Sequence, residues 1–318
     1  MEKTVVPIFF TVDKNYVPYL SVALLSLTHN TSDNCNYNIH IIYETLSDEE
    51  IEKLKKLEKS NVKIIFNKMT LGLESITRRK ENELRENLFT LTIYYRLFLP
   101  SIFKEYDKGI YIDSDTCILS DVKELYDFDL KDNLFAGCTD MSCKNNKDLC
   151  NYFKMNAGVG IDKYINSGVL VMNMKKLREV NFDLHFLYLL DKYHFDTVCP
   201  DQDYINAMGK DNILNIPNEW NAMPAENEKA FDNPKIVHYN LFFKPWHYDN
   251  IDYENYFWQY AEKSPFKEEI YKEKENYDEA KKLEDKKSFD ILLSRAEQIT
   301  KSTNTFKNVF ESGKEKRF

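Results

Sequence analysis

Short apolar runs and helical spacings alternate from the start of this chain, and that alternation restricts its fold more than any other feature. The run "PIFFTV" reads as a buried strand that breaks at Asp13. Val17, Leu20, Leu24 and Leu27 then recur at helical spacing, with Pro18 suited to a first turn. "YNIHIIYE" reads as a second strand, and Ser47 with Glu50 forms a capping box for a helix that carries Ile51, Leu54 and Leu57 on one face. "NVKIIF" is a third strand. This order predicts an α/β fold with a doubly wound, parallel sheet flanked by helices.

The pattern continues. "LFTLTIYYRLFLP" reads as a helix ending at Pro100, followed by a strand "GIYID", a helix "DVKELY" and a strand "LFAGC". Residues Ser142 to Asp162 are polar and irregular, which predicts a loop over a site. "YINSGVLVMN" is a strand, Met174 to Tyr193 one helix, and "KIVHY" a late strand. Beyond residue 261 the chain turns densely charged, with Phe289, Leu292, Leu293, Ala296 and Ile299 on one helical face. We therefore expect one α/β domain over residues 1–261 and a charged helical extension over 262–318.

With 318 residues and 43% hydrophobic content, the chain has enough apolar surface for one large core. A net charge of −9 argues against nucleic acid as a partner. The six cysteines form no C-x-x-C pair, and "MEKTVVPIFF" lacks the pattern of a secretory leader. The expectation is reduced thiols and a cytoplasmic location.

Within "KGIYIDSDTCIL", the apolar strand runs into Asp113 and Asp115. Residues two apart on an extended chain point the same way, so the two carboxylates converge. Unpaired they would repel, whereas Mn²⁺ or Mg²⁺ would remove the conflict. Strand carboxyl ends are also where open α/β sheets bind ligands. A strand ending in D-x-D-x-T likewise resembles the haloacid-dehalogenase-type phosphatases, in which Asp113 would be the nucleophile. That family needs a later acidic pair near G-D-x-x-x-D, and "GKDN" at Gly209 lacks it.

Four more segments follow the order of another family: "TIYYRLFLP" with Arg96, "YINSGVLVMN" with Asn166 and Ser167, "PDQDYIN" with Asp201, Gln202 and Asp203, and "VHYNLFFKPWHY" with His238, Lys244 and Trp246. With the D-x-D, the chain resembles glycosyltransferase family 8 over roughly residues 5 to 250. That family includes bacterial lipopolysaccharide α-galactosyl- and α-glucosyltransferases, galactinol synthase and glycogenin. The resemblance implies a GT-A fold, with a Rossmann-like, mixed and mostly parallel sheet. It also implies a retaining transfer of glucose or galactose from a UDP-sugar, the donor substrate, to a glycan, glycolipid or glycoprotein acceptor.

The resemblance carries roles to particular residues. Thr11, Asp13, Asn15 and Tyr16 would bind the nucleoside, Asp13 at the uracil edge and Tyr16 stacked on the ring. Asp113, Asp115 and His238 would hold the metal, with Ser114 between the two aspartates also facing the donor. Arg96 would lie near the diphosphate and sugar. Asp140, Asn166, Ser167 and Asp201 would contact the donor sugar, Gln202 would face the anomeric carbon, and Lys244 would meet the leaving phosphate. Leu241 departs from the pattern, because the family often has glycine there. The acceptor would contact Ser142 to Asp162 and Asn221 to Lys229. A non-catalytic, nucleotide-sugar-binding subunit is the third reading, against which the complete set of ligands argues.

Residues 301–318 carry five basic and two acidic residues, interleaved with Phe306, Val309 and Phe310. Such a tail suits either peripheral contact with the anionic inner face of a membrane or a solvated terminus. Glucose versus galactose, the acceptor's identity and the oligomeric state are left open by these residues.

Overall fold

The computed structural model describes residues 3–69, 92–224 and 230–318. Its centre is a seven-stranded sheet in the order β3-β2-β1-β4-β7-β6-β8. The strands are β1 (Val5–Val12), β2 (Asn36–Tyr43), β3 (Val62–Lys68), β4 (Gly109–Ile112), β6 (Phe135–Thr139), β7 (Ile165–Met172) and β8 (Ile213–Asn215). Strands β1 to β4 run parallel; β7 is antiparallel to both β4 and β6, and β8 is parallel to β6. The mixed, mostly parallel GT-A arrangement is thus present. A separate antiparallel pair joins β5 (Thr116–Ile118) to β9 (Ile236–His238).

Both faces of the sheet are covered, which is why its strands read as unbroken apolar runs. Val6, Ile8, Phe10, Ile110, Ile112, Val169 and Val171 point to one core cluster, and Phe9, Tyr111, Leu170 and Met172 to the other. The helices on the sheet include α1 (Val17–His29), α2 (Asp48–Lys55), α3 (Thr92–Ile102), α4 (Val122–Tyr126) and α5 (Lys147–Met155). Later come α6 (Met174–Glu179), α7 (Phe182–Tyr193), α8 (Pro200–Met208) and α9 (Glu254–Ala261). The capping box at Ser47 and Glu50 forms as its spacing predicts.

Three local expectations need correction. The helix through Arg96 passes Pro100 and ends at Ile102, because proline in the last turn removes only one helical hydrogen bond. Its predicted start, Leu88 to Leu91, lies outside the described residues. The single helix from Met174 breaks in two at Asn181, which adopts a left-handed φ of 51°, a conformation asparagine tolerates better than most residues. Residues 142–162 are not an irregular loop: α5 lies within them, capped by Asn146 Oδ1, which accepts from the Asp148 and Leu149 amides. Leu149, Tyr152 and Phe153 are its buried face, a three- and four-residue spacing masked by the polar residues between them.

The extension forms α10 (Lys267–Asn276), α11 (Glu279–Thr300) and α12 (Phe306–Glu311). The apolar face foreseen on α11 is real: Leu292, Ala296 and Ile299 are buried in the main core cluster, with Phe289 and Leu293 packed at its edge. The tail is neither frayed nor available to a bilayer through its apolar residues. Phe306, Val309 and Phe310 are buried in that same cluster, Arg317 donates to the carbonyls of Ala207 and Ala157, and the Phe318 amide donates to Met208 O. Burial in the protein satisfies the hydrophobic demand that lipid would have met. Among the described residues, no helix is long and apolar enough to cross a membrane.

Candidate active site

Strand directions bring the singled-out residues to one edge. β1 and β4 both end there, at Asp13 and Asp113. Because β7 is antiparallel to β4, its start arrives at the same place, with Val169 opposite Ile112 and the Asp113 amide donating to Gly168 O at 2.8 Å. β6 is antiparallel to β7, so its end at Thr139 faces Ile165 and delivers Asp140. The β5–β9 pair sets His238 opposite Thr116, and the Tyr239 amide donates to Asp115 O.

Asp113, Asp115 and His238 offer three ligand atoms that lie within 4.8 Å of one another. His238 Nε2 is 3.3 Å from Asp115 Oδ1 and 3.7 Å from Asp113 Oδ2. His238 Nδ1 lies 3.1 Å from Asn221 Oδ1. An amide oxygen only accepts, so Nδ1 is the donor in that contact and Nε2 is the nitrogen turned toward the carboxylates. Two carboxylate oxygens and one imidazole nitrogen suit Mn²⁺ or Mg²⁺. The glycine of N-S-G belongs to this site too: a Cβ on Gly168 would stand 2.2 Å from His238 Cε1.

Each aspartate is braced by a cation. Arg96 lies over the Tyr111 ring and donates from Nη2 to Asp113 Oδ1 at 3.0 Å and from Nη1 to Ser167 O at 2.7 Å. Its Nε faces Asp201 Oδ2 at 3.2 Å. Tyr111 donates to the same Asp113 oxygen at 2.6 Å and pairs with Thr11 Oγ1. Lys244 donates to Asp115 Oδ2 and to Tyr239 O, each at 2.6 Å. Burial pushes the Asp115 carboxyl upward, but Lys244 and His238 outweigh it and hold the group below the ordinary carboxylate range. Burial dominates at Asp201 and raises it despite Arg96.

A chain of amides carries the network onward. Asn221 Nδ2 donates to Asn166 Oδ1, Asn166 Nδ2 donates to Asp140 Oδ2 at 3.1 Å, and Gln202 Nε2 donates to the same oxygen at 2.9 Å. Gln202 Oε1 accepts from the Ser167 amide. Asp140 Oδ1 accepts from Ser142 Oγ, which in turn accepts from Asn240. Asp140, Asn166 and Gln202 are thus one preorganised cluster beside Asp113, Asp115 and His238.

Other expected site residues take quieter places. Ser114 Oγ donates to Thr11 O and ties the D-x-D turn to β1. Asp13 caps a turn over Lys14–Tyr16 by accepting from the Asn15 amide. Tyr16 sits beyond it, edge-on to Tyr19, which stacks on Trp246 at 3.8 Å. Lys244 reaches 5.7 Å from the Tyr16 ring.

Asp203, the third member of D-Q-D, points away from that cluster. It accepts from Tyr152 at 2.5 Å and Tyr164 at 2.7 Å. Burial is the largest influence on it and moves its carboxyl up to about 7 despite those bonds. The folded state therefore binds the extra proton, and its stability falls as pH rises from roughly 4 to 7. Chemical denaturation across that range is expected to show the fall, and Asp203→Asn to flatten it; parallel curves for the two proteins would contradict the assignment.

Asn221, Gly168 and Tyr111 were not foreseen as working residues. Asn221 belongs to the segment expected to face the acceptor, yet it is fully buried behind His238; 225–229 of that segment lie outside the described residues. Leu241 adopts φ 53°, the region glycine enters without strain. A leucine there keeps the chain path that the glycine pattern implies. Leu241→Gly is expected to melt at or above the parent temperature, whereas β-branched Leu241→Val should lose about 1–2 kcal/mol. Equal melting temperatures for the two variants would show the loop to be unstrained.

The family profile described as "Glycosyl transferase family 8" matches residues 7–250. A putative glycosyltransferase of Haemophilus influenzae is 28% identical over 70% of this chain and 64% of its own length. The lipopolysaccharide 1,2-glucosyltransferase of Escherichia coli K12 is 24% identical over 86% of this chain and 82% of its own. Among solved structures, the WbbM bifunctional glycosyltransferase superposes with a TM-score of 0.72 at 24% identity, over 86% of this chain but only 52% of that one. The galactosyltransferase LgtC, solved with donor and acceptor sugar analogs, gives a TM-score of 0.65 at 22% identity, over 81% of this chain and 96% of that one. This chain thus spans between half and two-thirds of the H. influenzae and WbbM proteins.

Proposed function

Because the chain belongs to glycosyltransferase family 8, we propose that it transfers a glucosyl or galactosyl group from a UDP-sugar to a carbohydrate, glycolipid or glycoprotein acceptor, with retention of the anomeric configuration. The observation that carries this reading is the clustering of Asp113, Asp115 and His238 within 4.8 Å, with Lys244 on Asp115. A divalent cation held by those three residues, Mn²⁺ or Mg²⁺, would neutralise charge on a departing diphosphate.

The protein's own groups do the rest. Tyr16 offers a ring face to uracil and Asp13 a carboxylate to its edge. Lys244 supplies a fixed positive charge where the leaving phosphate gains negative charge, so no protonation of the leaving oxygen is required. Asp140 and Asn166 would meet the sugar hydroxyls. Asp201 lies where a carboxylate could meet the positive character of the ring in the transition state. Gln202 uses its carbonyl oxygen on Ser167 and its amide on Asp140. That engagement, and the weakness of a neutral amide as a nucleophile, favour attack by the acceptor on the face of the departing phosphate.

Family membership displaces the phosphatase reading in favour of the transferase reading. The same reading places the enzyme in the cytoplasm, where UDP-sugars are made.

The test is UDP release from a panel of UDP-sugars with Mn²⁺ and with chelator. One donor is expected to hydrolyse slowly, and chelator to abolish the reaction. No release from any donor in the presence of metal and candidate acceptors would refute the reading.

A further inference from the structure

The family profile ends at residue 250, yet the helices beyond it touch the segment that carries Lys244. That segment, residues 241–249, has little regular structure of its own. It leaves β9 at a left-handed Leu241 and reaches another left-handed residue at Asn250. Its internal bonds centre on Lys244 O, which accepts from the His247 and Tyr248 amides at 2.9 Å each.

The extension grips this turn on the C-terminal side of the lysine. Lys274, near the end of α10, donates to the carbonyls of Pro245 at 3.0 Å and Tyr248 at 3.3 Å, and pairs with Asp249 at 2.7 Å. Tyr277, between α10 and α11, stacks on the His247 ring at 3.6 Å with only 8° between the planes. Asp285 of α11 accepts from Tyr248 and Tyr277 with the same oxygen, each at 2.7 Å. Lys244's own ammonium makes its hydrogen bonds elsewhere, to Asp115 and Tyr239 O.

The geometry points to the extension as a clamp that positions Lys244 for the leaving phosphate: Lys274, Tyr277 and Asp285 are positioning residues that act through the 244–248 turn. The inference rests on the reading of Lys244 given under the proposed function. Physically, a lysine on a loose turn must be ordered each time a donor binds, and that ordering costs free energy. Held in advance, the ammonium meets developing charge without reorganisation. The buried ion pair with Asp115 fixes the lysine's tip, and the clamp fixes its backbone. An extension bonded only to its own helices, or to the sheet far from the site, would give no such effect.

The experiment uses the full chain with Lys274→Met, Tyr277→Leu and Asp285→Ala, and with the milder Tyr277→Phe and Asp285→Asn in case the larger changes unfold it. Hydrogen exchange at the His247 and Tyr248 amides reports the turn without reference to activity. It is expected to accelerate at least tenfold in the clamp variants while exchange in β1 and β4 is unchanged. Steady-state UDP release should show kcat reduced about tenfold or more, with donor KM within about threefold, since misplacement of a catalytic group by a fraction of an ångström is felt in the chemical step. The decisive readout is a double-mutant cycle with Lys244→Ala. If the clamp works through Lys244, the loss caused by Lys244→Ala shrinks in the Tyr277→Leu background. An undiminished Lys244→Ala loss, or unchanged exchange at both amides, would overturn the inference. If no donor releases UDP at all, the proposed function fails while the exchange measurement still decides whether the clamp exists.

Discussion

Gly168→Ala is expected to disrupt the Asp113–Asp115–His238 cluster and with it the divalent-cation binding proposed there. The added methyl would stand 2.2 Å from His238 Cε1, 2.8 Å from its Nδ1 and 2.7 Å from Asp113 Oδ2, and none of these atoms can retreat. The His238 ring is buried, held by Asn221 on its far side, and its backbone amide donates to Ala222 O. Asp113 is pinned by Arg96 and Tyr111. The strain of inserting a methyl into so tight a contact is about 1–3 kcal/mol. Its consequence for the ligands is larger, because disturbing the groups that orient a metal ligand lowers metal affinity by about 10–100-fold. Titration calorimetry with Mn²⁺ on a variant still folded by circular dichroism measures this directly. An affinity within twofold of the parent would mean that His238 is not a ligand.

Asp115→Ala should destabilise the fold as well as end the reaction, and a second change should separate the two effects. Lys244 is 5% exposed, and without Asp115 its ammonium keeps a single hydrogen-bond acceptor among the described residues, Tyr239 O. Removing one partner of a buried pair leaves an uncompensated charge, at a cost of about 3–5 kcal/mol. Replacing both by apolar groups removes that cost, so Asp115→Ala with Lys244→Met should regain most of the lost stability. Neither protein should release UDP, because the first lacks a metal ligand and the second also lacks the lysine. Urea melts of the three proteins at pH 7 provide the check; losses that simply add in the double variant would show that the pair is not coupled. The sign of the pH effect follows. A carboxyl held below its ordinary range lends stability at neutral pH and withdraws it only as pH falls through the acidic range.

Much of the site could be read before the fold was known, for reasons specific to each residue. Asp113 and Asp115 stand out because two charges at the end of an apolar strand conflict with burial unless something pairs with them. Asn166, Gln202 and Lys244 emerged through the order of their motifs. Asn221 carried no such signal. It lies in a segment of unremarkable composition, and its role depends on a hydrogen bond to a histidine 17 residues away in sequence. Tyr111 looked like core because it is core, and only its hydroxyl reaches Asp113. The burial of the tail's apolar residues was hidden for a related reason: the spacing of Phe306, Val309 and Phe310 announces an apolar face without saying what covers it.

Periodicity and strand order determined the layers of this molecule, since a run buried on both faces and a helix with one apolar stripe pack in few ways. Family membership was likewise legible in local residue types and their order. Tertiary structure alone decided which partner each charge would take. Parallel β1 and β4 with antiparallel β7 bring three strand ends together, and the β5–β9 register sets His238 beside Asp115 across more than a hundred residues of chain. Those pairings are long-range electrostatic and steric facts, and no local pattern encodes them. The clamp of the extension on the Lys244 turn is of the same kind. Its residues look like an ordinary charged helix until the stacking of Tyr277 on His247 gives that surface something to hold.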